Sequence, residues 1–318
     1  MKSLELYLSY RCDQKCIFCS EKSRMQKYGH KQPSQKELLA IMIGKRKEGY
    51  EHITFVGGEP TIHPDFIKIL SAAKRLKYKT LLITDGQKLS QWGFALETLP
   101  WLDELVFSLH GPIPEIHDAL TQRTGSFERQ MRAMDFVEKI RREPFYFTST
   151  VLTRLNFPHL ESLVDLVCAR PGAKGCLISN LTPNEDDPVG LYSEQAVRLN
   201  LLSKTFSKLI NIARNQGKNI RFLGFPACAL GRAREFSADC QEDFPLDVER
   251  MVRDSGLELE DSRQYGPRRS RFFPAVCGSC AWAGKRCMGI LRAYYDHFGG
   301  LELAPIEGSV LGEHSHAV

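Results

Sequence analysis

The feature that most constrains the fold of this chain is a regular alternation of short β-like runs with longer amphipathic segments. The β-like runs cover residues 4–9, 53–56, 80–84, 105–109, 146–152 and 176–181. The amphipathic segments cover residues 34–48, 64–76, 126–142, 159–168 and 193–215. Coarsely counted, these are six β-then-α units, which predict a parallel sheet with right-handed crossovers, closed or partly closed like a barrel.

The alternation stops after residue 215. Residues 221–225 have the composition of one further strand, but residues 227–275 are polar, charged and irregular, with scattered Gly, Pro and Asp. We therefore place a domain boundary near residue 217. The expected organisation is an α/β partial barrel over residues 1–216 and a smaller, irregular unit over residues 217–318.

The composition limits the cellular compartment and the kinds of binding partner that we expect for this chain. The chain has 318 residues and a formal net charge of +5, which is only mildly basic and gives little indication of a nucleic-acid partner. No segment approaches the roughly 20 apolar residues that span a bilayer, and the first residues lack the pattern of a secretory signal. We therefore expect a cytoplasmic protein, in which clustered cysteines bind metal more often than they form disulfides.

Three cysteines directly follow the first predicted strand. Cys12, Cys16 and Cys19 form C-x3-C-x2-C in the sequence RCDQKCIFC. Thiolates at this spacing suit an iron-sulfur cluster or zinc. Three ligands instead of four leave one position vacant, as at a site that binds a substrate or cofactor. Buried core cysteines or a zinc site are the structural alternatives.

The motif resembles that of the radical S-adenosylmethionine superfamily, C-x3-C-x-aromatic-C, in which Phe18 supplies the aromatic residue. The resemblance implies a 4Fe-4S cluster whose fourth iron is chelated by the amino and carboxylate groups of S-adenosylmethionine. It also implies a one-electron cleavage that gives methionine and a 5'-deoxyadenosyl radical, which abstracts hydrogen from the substrate. The fold that it implies is the partial (β/α)6 barrel of radical SAM enzymes.

Two further strand ends match motifs of this family. Gly57-Gly58-Glu59-Pro60 follows the second strand and resembles the GGE motif that receives the methionine amino group; a bare Gly-Gly turn is otherwise common. Thr84-Asp85-Gly86 ends the third strand where related enzymes often carry Thr-Asn-Gly. Asp in place of Asn is a departure that leaves the hydrogen-bonding role of this side chain open.

The fourth and fifth strand ends supply more candidate residues. By resemblance, Ser108 contacts the cofactor's methionine carboxylate or ribose, and Arg154 or Asn156 lies near the ribose. A serine that only satisfies a strand end is the alternative for Ser108. His110 stands where many peptide-modifying relatives have Asp, and we predict that it is a proton acceptor, although a lone His is more often structural.

A second group of cysteines lies near the far end of the chain. Cys277, Cys280 and Cys287 form C-x2-C-x6-C, and Cys228 precedes them in GFPACALG. Four thiolates saturate a cluster or a zinc ion without a vacant position. The arrangement resembles a shortened SPASM or Twitch domain, which implies one auxiliary 4Fe-4S cluster. Zinc remains an alternative metal, and Cys240 an alternative fourth ligand to Cys228.

These features predict a radical SAM enzyme that oxidatively modifies a peptide or protein, with an electron donor such as flavodoxin or ferredoxin. The chain starts at the first predicted strand, so we expect any leader peptide to be recognised by a separate protein or by another surface. One alternative is dehydrogenation or rearrangement of a small molecule, such as an aminocyclitol or cofactor precursor. Another is a non-catalytic metal-binding scaffold, which would need neither a vacant iron nor a site for an amino group.

Overall fold

The computed structural model describes residues 2–183, 190–240, 248–253, 256–260 and 270–307. The strands are β1 Lys2–Tyr7, β2 Tyr50–Val56, β3 Lys79–Thr84, β4 Glu104–Ser108, β5 Tyr146–Val151, β6 Ala173–Ser179, β7 Asn219–Leu223, β8 Val248–Arg253, β9 Gly256–Glu260, β10 Arg271–Phe272 and β11 Ile290–Leu291. The helices are α1 Lys22–Tyr28, α2 Gln35–Lys47, α3 Phe66–Arg75, α4 Trp92–Thr98, α5 Pro114–Thr121, α6 Ser126–Ile140, α7 Leu160–Cys168, α8 Gly190–Gln195, α9 Leu202–Asn215, α10 Ala227–Leu230 and α11 Arg292–Phe298.

Seven parallel strands form the centre of the molecule in the order β7-β6-β5-β4-β3-β2-β1. Neighbours in the sheet are also neighbours in sequence, and helices lie in the connections between them. The strand interiors are apolar because helices cover a parallel sheet; Leu4, Ile53 and Leu82, for example, are fully buried. The predicted α/β partial barrel is confirmed, with seven parallel strands in place of six and with an open sheet in the described part of the chain.

Several helices begin and pack as their sequences predict. Ser34 and Glu37 form a capping box at the start of α2, where each side chain accepts a hydrogen bond from the other residue's backbone N–H. The carboxylate of Asp118 accepts hydrogen bonds from Gly125 N and Phe127 N and thereby caps α6. These local contacts hold the connections above the carboxyl ends of the strands.

The predicted helix over residues 193–215 is wrong at its start, because α8 and α9 are separate helices. The backbone N–H of Leu199 donates to Tyr294 Oη at 2.9 Å and to Glu302 at 3.0 Å, so it cannot take part in a continuous helix. Contact with Tyr294 and Glu302 near the C-terminus therefore interrupts the helix that the sequence of residues 193–215 predicts.

The region after residue 215 contains more strand than the sequence predicts. β7 pairs in parallel with β6, so the sheet continues beyond the predicted boundary near residue 217, which itself stays a prediction. The backbone of β8 pairs in parallel with β1, and β9 pairs antiparallel with β8. Strand β8 thus covers an edge of the seven-stranded sheet that would otherwise be exposed. Among the described residues, none of the helices combines the length and apolar character needed to cross a lipid bilayer.

Candidate active site

The loop that follows β1 carries the first three cysteines, all partly buried at the carboxyl edge of the sheet. Two backbone hydrogen bonds attach this loop to the end of α5: Lys15 N donates to Thr121 O at 3.1 Å, and Ile17 N donates to Leu120 O at 2.9 Å. The loop is therefore anchored at both of its ends, by β1 and by α5.

The three thiols lie in an environment that favours their protonated form. Burial raises the pKa of Cys12, and the carboxylate of Asp85 raises it further. Burial also raises the pKa of Cys16, and the neighbouring Cys19 raises it further. Burial likewise raises the pKa of Cys19. Because metal ligands must be thiolates, a metal centre here would displace these protons on binding. A donor set of three soft sulfurs in one loop fits an iron-sulfur cluster.

The Gly57–Gly58 turn after β2 packs directly against the segment that leads into the cysteine loop. Gly58 N donates to Ser9 O at 2.9 Å. A Cβ on Gly57 would lie 2.3 Å from Ser9 O, and one on Gly58 would lie 2.0 Å from Arg11 O. No side chain fits at these distances. The two glycines therefore fix the position of the segment that leads into the cysteine loop at Cys12.

Glu59 is buried and connects the ends of β2 and β3. Its Oε1 accepts hydrogen bonds from Thr61 N at 3.0 Å and Thr84 Oγ1 at 2.8 Å, and its Oε2 accepts from Asp85 N at 2.8 Å. Burial raises the pKa of Glu59, whereas these hydrogen bonds lower it. Most of the acceptor capacity of this carboxylate is used within the protein, and Oε2 can accept one further donor. Thr84 therefore positions the carboxylate of Glu59 through this hydrogen bond.

Asp85 brings a second buried carboxylate to the cysteine loop. A ligand oxygen of Asp85, one of Asp13 and the sulfur of Cys12 all lie within 4.8 Å of one another. Arg123, which follows α5, forms an ion pair with Asp13 at 2.7 Å. Sequence reasoning missed both Asp13 and Arg123. An acidic residue directly after the first cysteine was a signal for Asp13, whereas the position of Arg123 depends on the fold.

His110 packs against the cysteine loop. Its ring contacts that of Phe18 edge to face, with centroids 4.4 Å apart. Val151 N donates to His110 Nδ1 at 3.3 Å, so Nε2 carries the proton of the neutral ring. Burial lowers the pKa of His110 well below its usual value. The ring thus presents an N–H donor, and the predicted role as proton acceptor would require loss of the Val151 hydrogen bond or a change of tautomer.

The other candidates at the fourth and fifth strand ends differ in their surroundings. Ser108 is partly buried and pairs with Ser149 in the sheet. Asn156 is fully buried, and its amide donates to His110 O and Val151 O, each at 2.9 Å. Both amide hydrogens of Asn156 are therefore used to join β4 to β5. Arg154 is exposed and donates to Ser193 O in α8 at 3.3 Å.

The second cysteine group converges although its members are far apart in sequence. Cys228, Cys277, Cys280 and Cys287 line one pocket that is partly open to solvent. Burial and the three other thiols raise the pKa of Cys277 to about 11. Backbone amides point at the sulfurs: Ala227 N donates to Cys287 Sγ and Ile306 N to Cys280 Sγ, both at 3.4 Å. The alternative ligand Cys240 has a side chain outside the described part of the structure.

Basic side chains lie beside this pocket. The guanidinium groups of Arg234 and Arg286 lie 5.1 and 5.7 Å from the centroid of the Trp282 ring. Trp282 itself is two residues after Cys280 and accepts three backbone hydrogen bonds from the turn that ends at Cys287. The two arginines are therefore attached to the cysteine turn through cation–π contacts.

Residues 6–167, about half of the chain, match the Radical SAM superfamily. The chain belongs to this superfamily. Its fold is the radical SAM fold, and the enzymes of this superfamily use a 4Fe-4S cluster and S-adenosylmethionine. The matched region contains the first cysteine group and ends before the second.

Solved structures share this fold. SuiB of Streptococcus suis bound to its precursor peptide SuiA has a TM-score of 0.56 at 21% identity over 69% of this chain and 48% of SuiB. SuiB bound to S-adenosylmethionine gives 0.55 at 20% identity, over 69% and 49% of the two chains. The hydrogenase maturase HydG of Carboxydothermus hydrogenoformans gives 0.51 at 15% identity, over 75% and 59%. The chain thus spans about half the length of the SuiB chains that it matches.

Proposed function

We propose that this chain cleaves S-adenosylmethionine reductively at a 4Fe-4S cluster bound by Cys12, Cys16 and Cys19, and that it oxidatively modifies a peptide or protein. The observation that carries the proposal is the placement of three thiols in the loop beside the Gly57–Gly58 turn, at the carboxyl edge of the sheet. The carboxyl edge is where βα folds bind substrates and cofactors.

When bound, the cluster and S-adenosylmethionine supply the electron transfer and carbon–sulfur cleavage that give methionine and the 5'-deoxyadenosyl radical. The protein's own groups position these reactants. The Gly57–Gly58 turn sets the start of the cysteine loop, and Glu59 offers Oε2 to a donor. Phe18 and His110 form a buried wall next to the loop, with His110 presenting an N–H. Ser108 and Arg154 remain candidates for contacts with the methionine and ribose parts.

We further propose that Cys228, Cys277, Cys280 and Cys287 hold an auxiliary 4Fe-4S cluster in a SPASM/Twitch-like unit over residues 217–318. A bound cluster would accept one electron from the substrate radical, which makes the overall reaction an oxidation. The N–H···S contacts to Cys287 and Cys280, together with the two arginines at Trp282, would raise its reduction potential.

Four thiols that line one pocket can hold either a 4Fe-4S cluster or a zinc ion. We favour the cluster because the arrangement of the four cysteines resembles that of a shortened SPASM or Twitch domain. Zinc is the alternative that metal analysis of the reconstituted protein tests.

The proposed peptide substrate rests on the likeness to SuiB, which is solved with a precursor peptide. The likeness is one of fold, so the substrate class needs a direct test. The reductant would be a small electron-transfer protein such as flavodoxin or ferredoxin. A separate peptide-recognition protein is the partner that we expect for a leader peptide.

The test is anaerobic reconstitution with iron and sulfide, followed by iron analysis and a search for 5'-deoxyadenosine after addition of dithionite and S-adenosylmethionine. Two 4Fe-4S clusters correspond to about eight irons per chain. Cys16→Ala should lose about half of the iron and all of the 5'-deoxyadenosine. Cys228→Ala should also lose about half of the iron but keep reductive cleavage. Cys168→Ala, a core cysteine outside both groups, is the matched control and should retain both properties.

Three results would contradict parts of the proposal. If Cys16→Ala still produces 5'-deoxyadenosine, the assignment of the first cluster site is wrong. If Cys228→Ala keeps its full iron and Cys240→Ala loses half of it, Cys240 is the fourth auxiliary ligand. If the C-terminal site holds stoichiometric zinc, there is no auxiliary iron-sulfur cluster.

A further inference from the structure

Asp85 has a buried acceptor atom to which no N–H or hydroxyl group of the described residues donates. The residue is 6% exposed, and its Oδ1 accepts a hydrogen bond from Gln87 N at 3.0 Å. Its Oδ2 is fully buried and has no hydrogen-bond partner in the described part of the chain. A buried carboxylate oxygen without a donor costs about 1–3 kcal/mol or more, so its retention points to a ligand that supplies the donor.

The surroundings of this oxygen are acidic. Burial raises the pKa of Asp85 most, and the charges of Glu59 and Asp13 raise it further. The Asp13 carboxyl group also lies within hydrogen-bonding reach of the Asp85 side chain, so the two acidic groups face each other. The Arg123 guanidinium is paired with Asp13 and not with Asp85. An N–H donor, with or without a positive charge, is the chemistry that this environment favours.

The position of the oxygen limits which donor can reach it. A ligand oxygen of Asp85 lies within 4.8 Å of Cys12 Sγ, at the loop proposed to hold the cluster. The backbone N–H of Asp85 is bound to Glu59, the last residue of the Gly-Gly-Glu turn. A donor at this point is therefore next to the cluster and next to Glu59, where the amino-acid end of S-adenosylmethionine is expected rather than its ribose or adenine.

Aspartate and asparagine differ in the property that matters here. The side chain must accept one hydrogen bond at Oδ1, from Gln87 N, and a second one at Oδ2. A carboxylate has two acceptor oxygens, whereas the amide of asparagine has one. Asn that kept the Gln87 contact at Oδ1 would place an NH2 donor, and not an acceptor, at the position of Oδ2. The Thr-Asp-Gly sequence of this chain thus provides an acceptor that Thr-Asn-Gly would lack.

We propose that Oδ2 of Asp85 accepts an N–H of the amino group of S-adenosylmethionine and thereby contributes to the specificity of this site for an amino-acid end. This inference rests on the proposed function. Asp85 and Glu59 together offer two carboxylate oxygens to the same group, and the protein binds the amino group from the ends of two adjacent strands, β2 and β3.

The experiment compares two unreactive ligands on the reconstituted holoprotein. S-adenosylhomocysteine carries the amino group, and 5'-S-(3-carboxypropyl)-5'-thioadenosine is the same molecule without it. Dissociation constants are measured by anaerobic equilibrium dialysis for wild type, Asp85→Asn and the control Asp165→Asn. Asp165 is exposed in α7 and accepts from Gln216 through one oxygen, which Asn retains.

Asp85→Asn should weaken S-adenosylhomocysteine binding about tenfold or more, as expected for a lost hydrogen bond between a charged acceptor and a donor, and should leave binding of the deamino ligand unchanged. Asp165→Asn should leave both affinities unchanged. Equal effects of Asp85→Asn on the two ligands, or no effect on either, would overturn the proposal.

Two controls separate this result from other failures. Iron content and the absorption spectrum of each variant establish that the cluster is intact, and Asp85→Ser, which keeps an acceptor for Gln87 N, repeats the test if Asp85→Asn does not fold. If the wild-type holoprotein binds neither ligand nor S-adenosylmethionine, the proposed function fails. If wild type binds them and only the selectivity prediction is missed, the role of Asp85 alone is refuted.

Discussion

Replacement of Gly58 by alanine should be among the most damaging single changes near the cysteine loop, although it adds one methyl group. The added Cβ would lie 2.0 Å from Arg11 O and 2.4 Å from Arg11 C, whereas ordinary contacts begin at 3.4 Å. The turn and the segment before Cys12 must therefore separate by more than about 1 Å. The contacts at risk are the hydrogen bonds from Gly58 N to Ser9 O and from Glu59 N to Arg11 O, at 2.9 and 2.7 Å.

The expected cost is the loss of two backbone hydrogen bonds, at about 1 kcal/mol each, and some steric strain. We expect Gly58→Ala to lower the free energy of unfolding of the metal-free protein by about 2–4 kcal/mol. Urea denaturation followed by circular dichroism under anaerobic conditions measures this quantity. Iron content after reconstitution should fall in parallel, because the start of the cysteine loop is displaced.

Gly44→Ala is the matched control. Gly44 lies inside α2, and a Cβ there would have no atom within 4 Å. Alanine in a helix interior should stabilise the protein by roughly 0.5–1 kcal/mol. If Gly58→Ala unfolds within about 0.5 kcal/mol of wild type and binds the full complement of iron, the close approach of the two segments does not constrain the loop.

Two further predictions concern His117 and Asn156, buried residues that form hydrogen bonds with His110 at the end of β4. Burial lowers the pKa of His117 from 6.5 to about 4, so between these pH values the unfolded chain binds a proton that the folded protein does not. Stability should therefore fall by about 3 kcal/mol as the pH falls from 6.5 to 4. Urea titrations at several pH values should show this loss, and His117→Gln should reduce it; an equal slope in both proteins would refute the assignment. Asn156→Ala should cost about 2–4 kcal/mol, because Thr153 N, His110 O and Val151 O lose their partner. The control Asn211→Ala, at an exposed position of α9, should change stability by less than about 0.5 kcal/mol, and a similar small effect of Asn156→Ala would contradict this role.

The local patterns of the chain predicted the fold class well. Alternation of β-like and amphipathic runs is a property of short segments, and the parallel sheet with its helices follows from it. The composition of residues 221–225 indicated a further strand, but neither its place as a seventh parallel strand of the same sheet nor the break between α8 and α9 was predicted. Both depend on partners far along the chain: β6 for the strand, and Tyr294 and Glu302 for the break at Leu199.

The roles of individual candidate residues were harder to predict than the motifs. Asn156 stands in a sequence that suggested contact with a ribose, yet its amide joins His110 and Val151 within the protein. Arg154, two residues away, contacts α8. A motif specifies which side chains lie at a strand end, whereas the direction of each hydrogen bond depends on the neighbouring strand and helix.

The sequence by itself determined the first cysteine group, the spacing of Cys277, Cys280 and Cys287, and the composition of the Gly-Gly-Glu turn, because spacing within a loop is a local property. Tertiary structure alone decided that Cys228 meets Cys277, Cys280 and Cys287 in one pocket, and that Asp85 comes within 4.8 Å of Cys12 and Asp13. The physical reason is that parallel strands bring their carboxyl ends to one edge. Residues separated by whole helices in sequence become neighbours there, and only their packing decides which acceptor is left for a ligand.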